Sequence, residues 1–191
     1  MKTRTFLAAE ISEEVRRRLL DTIRNFGIDK GVKWVRGENM HVTIYFFGNV
    51  ENEILRVLRE VIAKSVETLN GFEIDIRGIG AFPNLNRPRV IWAGVMDSTE
   101  TLKVIYNEVY KRIIKRKLNK SGVQVESREY KPHLTLGRVK GVIDASGIEK
   151  LSQCIDYNFG RCYIDKVVLF SSELHRDGPI YTPLQEFKLK S

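Results

Sequence analysis

The apolar positions of this chain change period many times, and each change predicts an element. Residues 3–9, whose last four before Glu10 are apolar, read as a first strand. Ser12 then opens a helix, with Glu13 and Glu14 in its first turn and Val15, Leu19, Ile23 and Phe26 at helical spacing up to Gly27. Val32-Lys33-Trp34-Val35 reads as a short strand, and a turn at Gly37-Glu38-Asn39 leads to a longer one from His41 through Phe47 to Gly48. A second helix is expected from about Glu51 to Leu69, with Ile54, Leu58, Val61 and Ile62 on one face, followed by a strand at Phe72–Ile76. Gly, Pro and Asn crowd the stretch from Gly78 to Pro88, which predicts a long loop.

After that stretch the order returns. Arg89 to Val95 reads as a strand, Asp97 and Glu100 as a capping box, and Leu102, Ile105, Val109 and Ile113 as the buried face of a helix. Gly122-Val123-Gln124-Val125 opens a strand as Gly31-Val32-Lys33-Trp34 does, and His133 lies 11 residues beyond Gly122 where His41 lies 10 beyond Gly31. A short helix near Ser146–Cys154 and strands near Cys162–Phe170 and Tyr181–Leu189 close the chain. Each half thus reads strand, helix, strand, strand, helix, strand. The repeat predicts a single bilobal domain over 1–191, with halves of about 1–88 and 89–191. Hairpin-like and crossover connections mix, so the class expected is α+β with largely antiparallel sheets around a central cleft.

The repeat carries one short motif twice. His41-Val42-Thr43-Ile44 and His133-Leu134-Thr135-Leu136 both alternate histidine, aliphatic, threonine, aliphatic. Strand side chains point to opposite faces with period two, so each His shares a face with its Thr. Imidazole titrates near neutral pH and gives or takes a proton; a hydroxyl donates to an anion. The chain has three histidines, so this motif uses two of them; His175, in a Leu-His-Arg-Asp-Gly turn, reads as a surface residue.

Composition narrows the partners. Thirty-two Lys and Arg against 24 Asp and Glu give a net charge of +8, which favours an anionic partner such as nucleic acid. Cys154 and Cys162 fit neither a disulfide framework nor a zinc ribbon, and dispersed histidines give no metal-ligand spacing. No metal and no cofactor is therefore expected. No apolar run has the length to span a bilayer, and the residues before Glu10 lack a signal-peptide core; a cytoplasmic protein is expected, with no membrane partner.

These residues resemble a known family. The two His-x-Thr-x stretches, within Met40–Gly48 and Lys131–Arg138, look like the paired motifs of the two-histidine phosphoesterases, in particular the RNA 2',3'-cyclic phosphodiesterases, also called 2'-5' RNA ligases. Phe82-Pro83 with Arg87 to Trp92, and Ser172-Glu173-Leu174 with Gly178-Pro179 and Tyr181, resemble the family's middle and C-terminal segments. The resemblance implies a bilobal fold and metal-independent hydrolysis of RNA 2',3'-cyclic phosphate ends to 2'-phosphates, with 2'-5' ligation as the reverse reaction. It implies His41 as proton donor to the leaving group and His133 as the base that activates water. Thr43 and Thr135 would then donate to the phosphate oxygens.

Arg138 is a further phosphate ligand if Gly137 permits a bulge, because strict alternation turns it away from His133. Tyr45, on the His41 face by alternation, either stacks on a base or packs in the core. Phe82 is either a base-stacking lid or an apolar plug. The expected partner is RNA with 2',3'-cyclic phosphate or 2'-phosphate ends, tRNA fragments included, met by a monomer. The alternatives are a non-catalytic RNA-binding module and a phosphodiesterase for a small cyclic nucleotide such as an ADP-ribose cyclic phosphate.

Overall fold

A computed structural model describes residues 2–28, 30–125, 129–176 and 178–191. Within these residues nine strands join in one sheet. They are β1 (Lys2–Glu10), β2 (Val32–Trp34), β3 (His41–Glu51), β4 (Phe72–Phe82), β5 (Val90–Met96), β6 (His133–Val139), β7 (Asn158–Ile164), β8 (Lys166–His175) and β9 (Gly178–Lys188). The sheet runs β7-β4-β5-β6-β3-β1-β8-β9, with β2 on the edge of β6, and every pairing between these strands is antiparallel. Four helices, α1 (Glu13–Phe26), α2 (Asn52–Val66), α3 (Thr101–Lys115) and α4 (Ala145–Gln153), complete the α+β architecture.

The helices pack in two pairs. α2 and α3 lie together on β3, and α2 also meets β9; α1 and α4 meet each other and cover β7 and β4. Each helix turns its periodic apolar face to the sheet: Val15, Leu19, Ile23 and Phe26 of α1 and Leu102, Ile105, Val109 and Ile113 of α3 are all buried. The Ser12 hydroxyl caps α1 by accepting from the Val15 N–H, a contact worth about 1 kcal/mol.

The middle of the sheet is the pair β3 and β6. Val42 stands opposite Leu134, both fully buried, and this aliphatic pair joins the two His-x-Thr strands on the core side. The opposite face of the same strands is left to the histidines and threonines. Among the described residues no helix is long and apolar enough to cross a membrane.

Several local expectations differ from the structure. β4 runs on to Phe82, so the first five residues of the predicted loop are strand. Gly78 marks a bulge rather than a turn: its φ is +75°, and the β4–β5 register slips between Arg77 and Ile79. The remaining connection, residues 83–89, is short. Asp97 caps α3 without a box. Its carboxylate accepts from the Leu102 and Thr99 N–H groups, while Glu100 sits in a left-handed turn and makes no reciprocal bond. Residues 122–125 form no strand, although the Gln124 N–H donates to the Phe47 carbonyl. The predicted strand 162–170 is two strands, parted at Asp165.

Candidate active site

The site is built on the cleft face of β3 and β6. Extending the Val42–Leu134 register by one residue each way sets His41 opposite Thr135 and Thr43 opposite His133. The two histidines are then diagonal neighbours, roughly 7–8 Å apart at the backbone. That gap suits one tetrahedral anion. Sequence reasoning paired these residues by their motif, and the sheet brings all four together.

Both rings are oriented alike. His41 Nδ1 lies 2.8 Å from the Asn39 carbonyl and His133 Nδ1 lies 2.9 Å from the Lys131 carbonyl. A carbonyl only accepts, so each Nδ1 carries its proton and each Nε2 is left for chemistry. His41 Nε2 is 3.1 Å from the Thr43 hydroxyl. While the ring is neutral, Thr43 donates to it. Once Nε2 is protonated the bond reverses, and the Thr43 proton becomes free to point at an anion.

The two imidazoles sit in unlike surroundings. His41 stacks on Phe6, with ring centroids 4.8 Å apart, and meets the edge of Tyr181 at 5.3 Å. Burial against these rings lowers its pKa from 6.5 to about 4, with the Asn39 hydrogen bond opposing the shift. Among the described residues His133 has one aromatic neighbour, Phe82, edge-on at 5.2 Å. Phe82 also leans on Trp92 and keeps 40 % of its surface exposed.

The structure decides two residues left open by alternation. Register slips on β3, where Leu7 pairs with Tyr45 and Ala8 with Thr43, so Ile44 is the extra residue of a bulge. Ile44 and Tyr45 are therefore both turned inward. Tyr45 is 2 % exposed and stacks on Phe47 and Tyr106, so its base-stacking role is replaced by core packing. On β6 the matching slip, with Ile91 opposite Gly137 and Trp92 opposite Thr135, makes Leu136 the extra residue. Gly137 turns inward, where a Cβ would come within 2.8 Å of both Trp34 and Val32. Arg138 is thereby returned to the cleft face beside Thr135.

A pocket of about 190 Å³ opens there, bounded by His41, Thr43, Thr135 and Arg138. Lys33, Arg36 and Asn39 form one rim, and Pro179 and Tyr181 the other. His133 stands outside this pocket, on the Phe82 side. The rims are tied together, since the Asn39 side-chain amide donates to the Pro179 carbonyl at 3.0 Å. Tyr130, three residues before His133, reaches the other strand: its hydroxyl donates to the Thr43 carbonyl at 3.1 Å, and burial raises the phenol's pKa, which keeps the proton in place.

Sequence reasoning missed Phe6, Asn39, Tyr130 and Tyr181 as parts of the site. Only Tyr181 had a signal, its place in the C-terminal segment that resembled the family. His175 is exposed, lies 3.5 Å from Glu173 and does not line the pocket. The cysteines are free thiols; Cys162 accepts the Ser12 N–H at 3.3 Å.

A cleft on an antiparallel sheet, holding two oriented imidazoles each beside a threonine, defines the class of two-histidine phosphoesterases. Comparison with known proteins gives the family. The profile described as LigT like Phosphoesterase matches residues 9–92 and 106–181, and the chain belongs to that family. It is 37 % identical over 193 residues to a Methanothermobacter thermautotrophicus protein named RNA 2',3'-cyclic phosphodiesterase, covering 99 % of this chain and 100 % of that one. The crystal structure of TT0787 of Thermus thermophilus superimposes with a TM-score of 0.81 at 26 % identity, covering 98 % of each chain. That of E. coli LigT complexed with 3'-AMP gives 0.79 at 22 % identity over the whole of both chains, a likeness of fold.

Proposed function

We propose that this enzyme opens the 2',3'-cyclic phosphate at the end of an RNA strand, leaving a 2'-phosphate and a free 3'-hydroxyl. The observation that carries the reading is the pair of Nε2 atoms, each freed by a carbonyl two residues back, on either side of a gap lined by hydroxyls and cations. The activity named for the 37 % identical relative supports it.

The phosphate sits between the rings, its non-bridging oxygens accepting from Thr43, Thr135 and Arg138. His133 Nε2 takes a proton from water as the water oxygen bonds to phosphorus. The bond from phosphorus to O3' breaks, and His41 Nε2 gives its proton to O3'. The imidazoles end with their protonation states exchanged, and solvent resets them. Each transfer contributes about 10²–10⁴ in rate. His41 can start protonated because the bound anion offsets the burial that otherwise keeps the ring neutral. Its Nε2–H then holds the Thr43 oxygen, which turns the Thr43 proton toward the phosphate, where charge builds in the transition state. With a 5'-hydroxyl in place of water, the same transfers in the same direction join two strands through a 2'-5' bond, and run backwards they cleave that bond to a 2',3'-cyclic phosphate and a 5'-hydroxyl. Phe82, exposed beside His133, takes the base next to the reacting ribose.

No step in this scheme calls for a metal. The test is an oligonucleotide ending in 2',3'-cyclic phosphate, incubated with EDTA, with the product's phosphate position read by NMR or nuclease mapping. A 2'-phosphate is expected. A 3'-phosphate, or no reaction until a divalent ion is restored, would overturn the scheme.

A further inference from the structure

The pocket beside His41 holds more positive charge than one cyclic phosphate needs. β2 pairs with β6 so that Lys33 stands directly opposite Arg138, and both side chains line the pocket. Like charges in register across antiparallel strands repel and destabilise the pairing. Among the described residues no carboxylate lines the pocket to offset them, and on its other side Arg138 faces Val90. Arg36, on the segment that follows β2, adds a third cation to the same wall. Of these three side chains only Lys33 has a hydrogen-bond partner among the described residues. It donates to the Arg176 carbonyl at 3.3 Å, which leaves two of its three ammonium protons unused.

The spacing is informative as well. Lys33 and Arg138 lie three residues along β6 from Thr135, at most about 10 Å of strand. The bulge shortens that distance, and both side chains are long enough to reach back along it. A group held there is about one nucleotide from a phosphate held between the histidines.

We propose that Lys33 and Arg36, with Arg138 shared between the two positions, form a second phosphate seat, so that the enzyme favours substrates bearing a further phosphate one nucleotide from the cyclic one. The proposal rests on the function argued above and specifies its substrate. The further phosphate is either the internucleotide phosphodiester of an RNA end or the 5'-phosphate of a mononucleotide.

Four substrates separate these sources: adenosine 2',3'-cyclic phosphate, its 5'-phosphorylated form, a dinucleotide ending in 2',3'-cyclic phosphate, and that dinucleotide with a neutral methylphosphonate linkage. The parent enzyme should show kcat/KM at least tenfold higher for a charged substrate than for its neutral counterpart. The gain should lie in KM, because the seat binds ground and transition states alike. A gain for the dinucleotide alone identifies an RNA end as the ligand; a gain for both charged forms identifies phosphate as such. In the Lys33→Ala, Arg36→Ala double variant the ratio should fall toward one, and Lys33→Arg should keep it. Both positions are exposed, and thermal unfolding checks that the variants fold. Equal kcat/KM for charged and neutral substrates in the parent, or a ratio that survives the double variant, would overturn the seat. Calorimetry reads the seat without turnover. Adenosine 2',5'-bisphosphate should bind the parent at least tenfold tighter than adenosine 2'-phosphate, and the double variant should lose that margin. If no substrate is hydrolysed, the proposed reaction fails while this binding difference still decides the seat.

Discussion

Protonation of His41 is the perturbation whose size follows most directly from the packing. Phe6 and Tyr181 exclude water from the ring, which places its pKa at about 4 instead of 6.5. At about 1.36 kcal/mol per pH unit, that gap corresponds to an upper bound of ~3 kcal/mol in favour of the neutral ring. In the free enzyme at pH 7, roughly one His41 in a thousand is then charged. Between pH 6.5 and 4 the unfolded chain holds a proton on this ring that the folded chain refuses. Stability is therefore highest above 6.5, falls as the pH drops through this window, and loses nothing more from this group below about 4.

Histidine ring NMR shifts followed from pH 3 to 8 measure the pKa. Urea unfolding of parent and His41→Gln at several pH values isolates the linked stability, since the variant should lack this part of the acid loss. Adding inorganic phosphate or adenosine 2'-phosphate should raise the His41 pKa by at least one unit, because the anion supplies the charge that burial withholds. A His41 ring that titrates near 6.5 in the free protein would refute the burial argument. A ring that stays near 4 with the anion bound would refute its role as the acid.

Other outcomes follow from the same geometry. His41→Ala and His133→Ala should each lower cyclic phosphate hydrolysis by about 10²–10⁴; activity within tenfold of the parent for either would remove that ring from the mechanism. Phe6→Ala should destabilise the fold by about 3–5 kcal/mol and move the His41 pKa back toward 6.5, read by the same NMR titration. Tyr130→Phe should cost about 1–2 kcal/mol in unfolding free energy by leaving the Thr43 carbonyl without its donor. It should also lower kcat more than it changes KM, because the two motif strands lose a tie. Gly137→Ala should cost about 1–3 kcal/mol by pressing a methyl group on Trp34 and Val32, with a change in tryptophan fluorescence.

The pair of histidines proposed as acid and base was legible in sequence because its signal is periodic and duplicated: a histidine and a threonine two apart need only a strand to share a face. The helices were legible for a like reason, since their apolar spacing survives into the buried faces of α1 and α3. The surroundings of the site were not. Phe6 and Tyr181 come from β1 and β9, far from His41 in the chain, and pairing order is set by the whole sheet. The fate of Tyr45 turned on a bulge, and one additional residue in a strand leaves no mark in the alternation around it. Arg138 was legible as a question, because Gly137 signalled that a bulge could form there. Gly78 was read as loop chemistry when it serves a bulge inside β4. Residues 126–128, between the predicted 122–125 strand and β6, lie outside the described residues.

The two bulges fall at the same place, one residue after each threonine. Each acts as a half-step in the strand's phase. Upstream of it, the reacting groups are locked to the shared Val42–Leu134 pair; downstream, the facing residues answer to a different count. Deleting Ile44 or Leu136 would leave its motif's histidine and threonine in place, yet exchange inside for outside in everything that follows. The proposed acid and base and the proposed phosphate ligand Arg138 are thus set on opposite sides of a hinge in register, so a change at Arg138 leaves the phase of both histidines as it is.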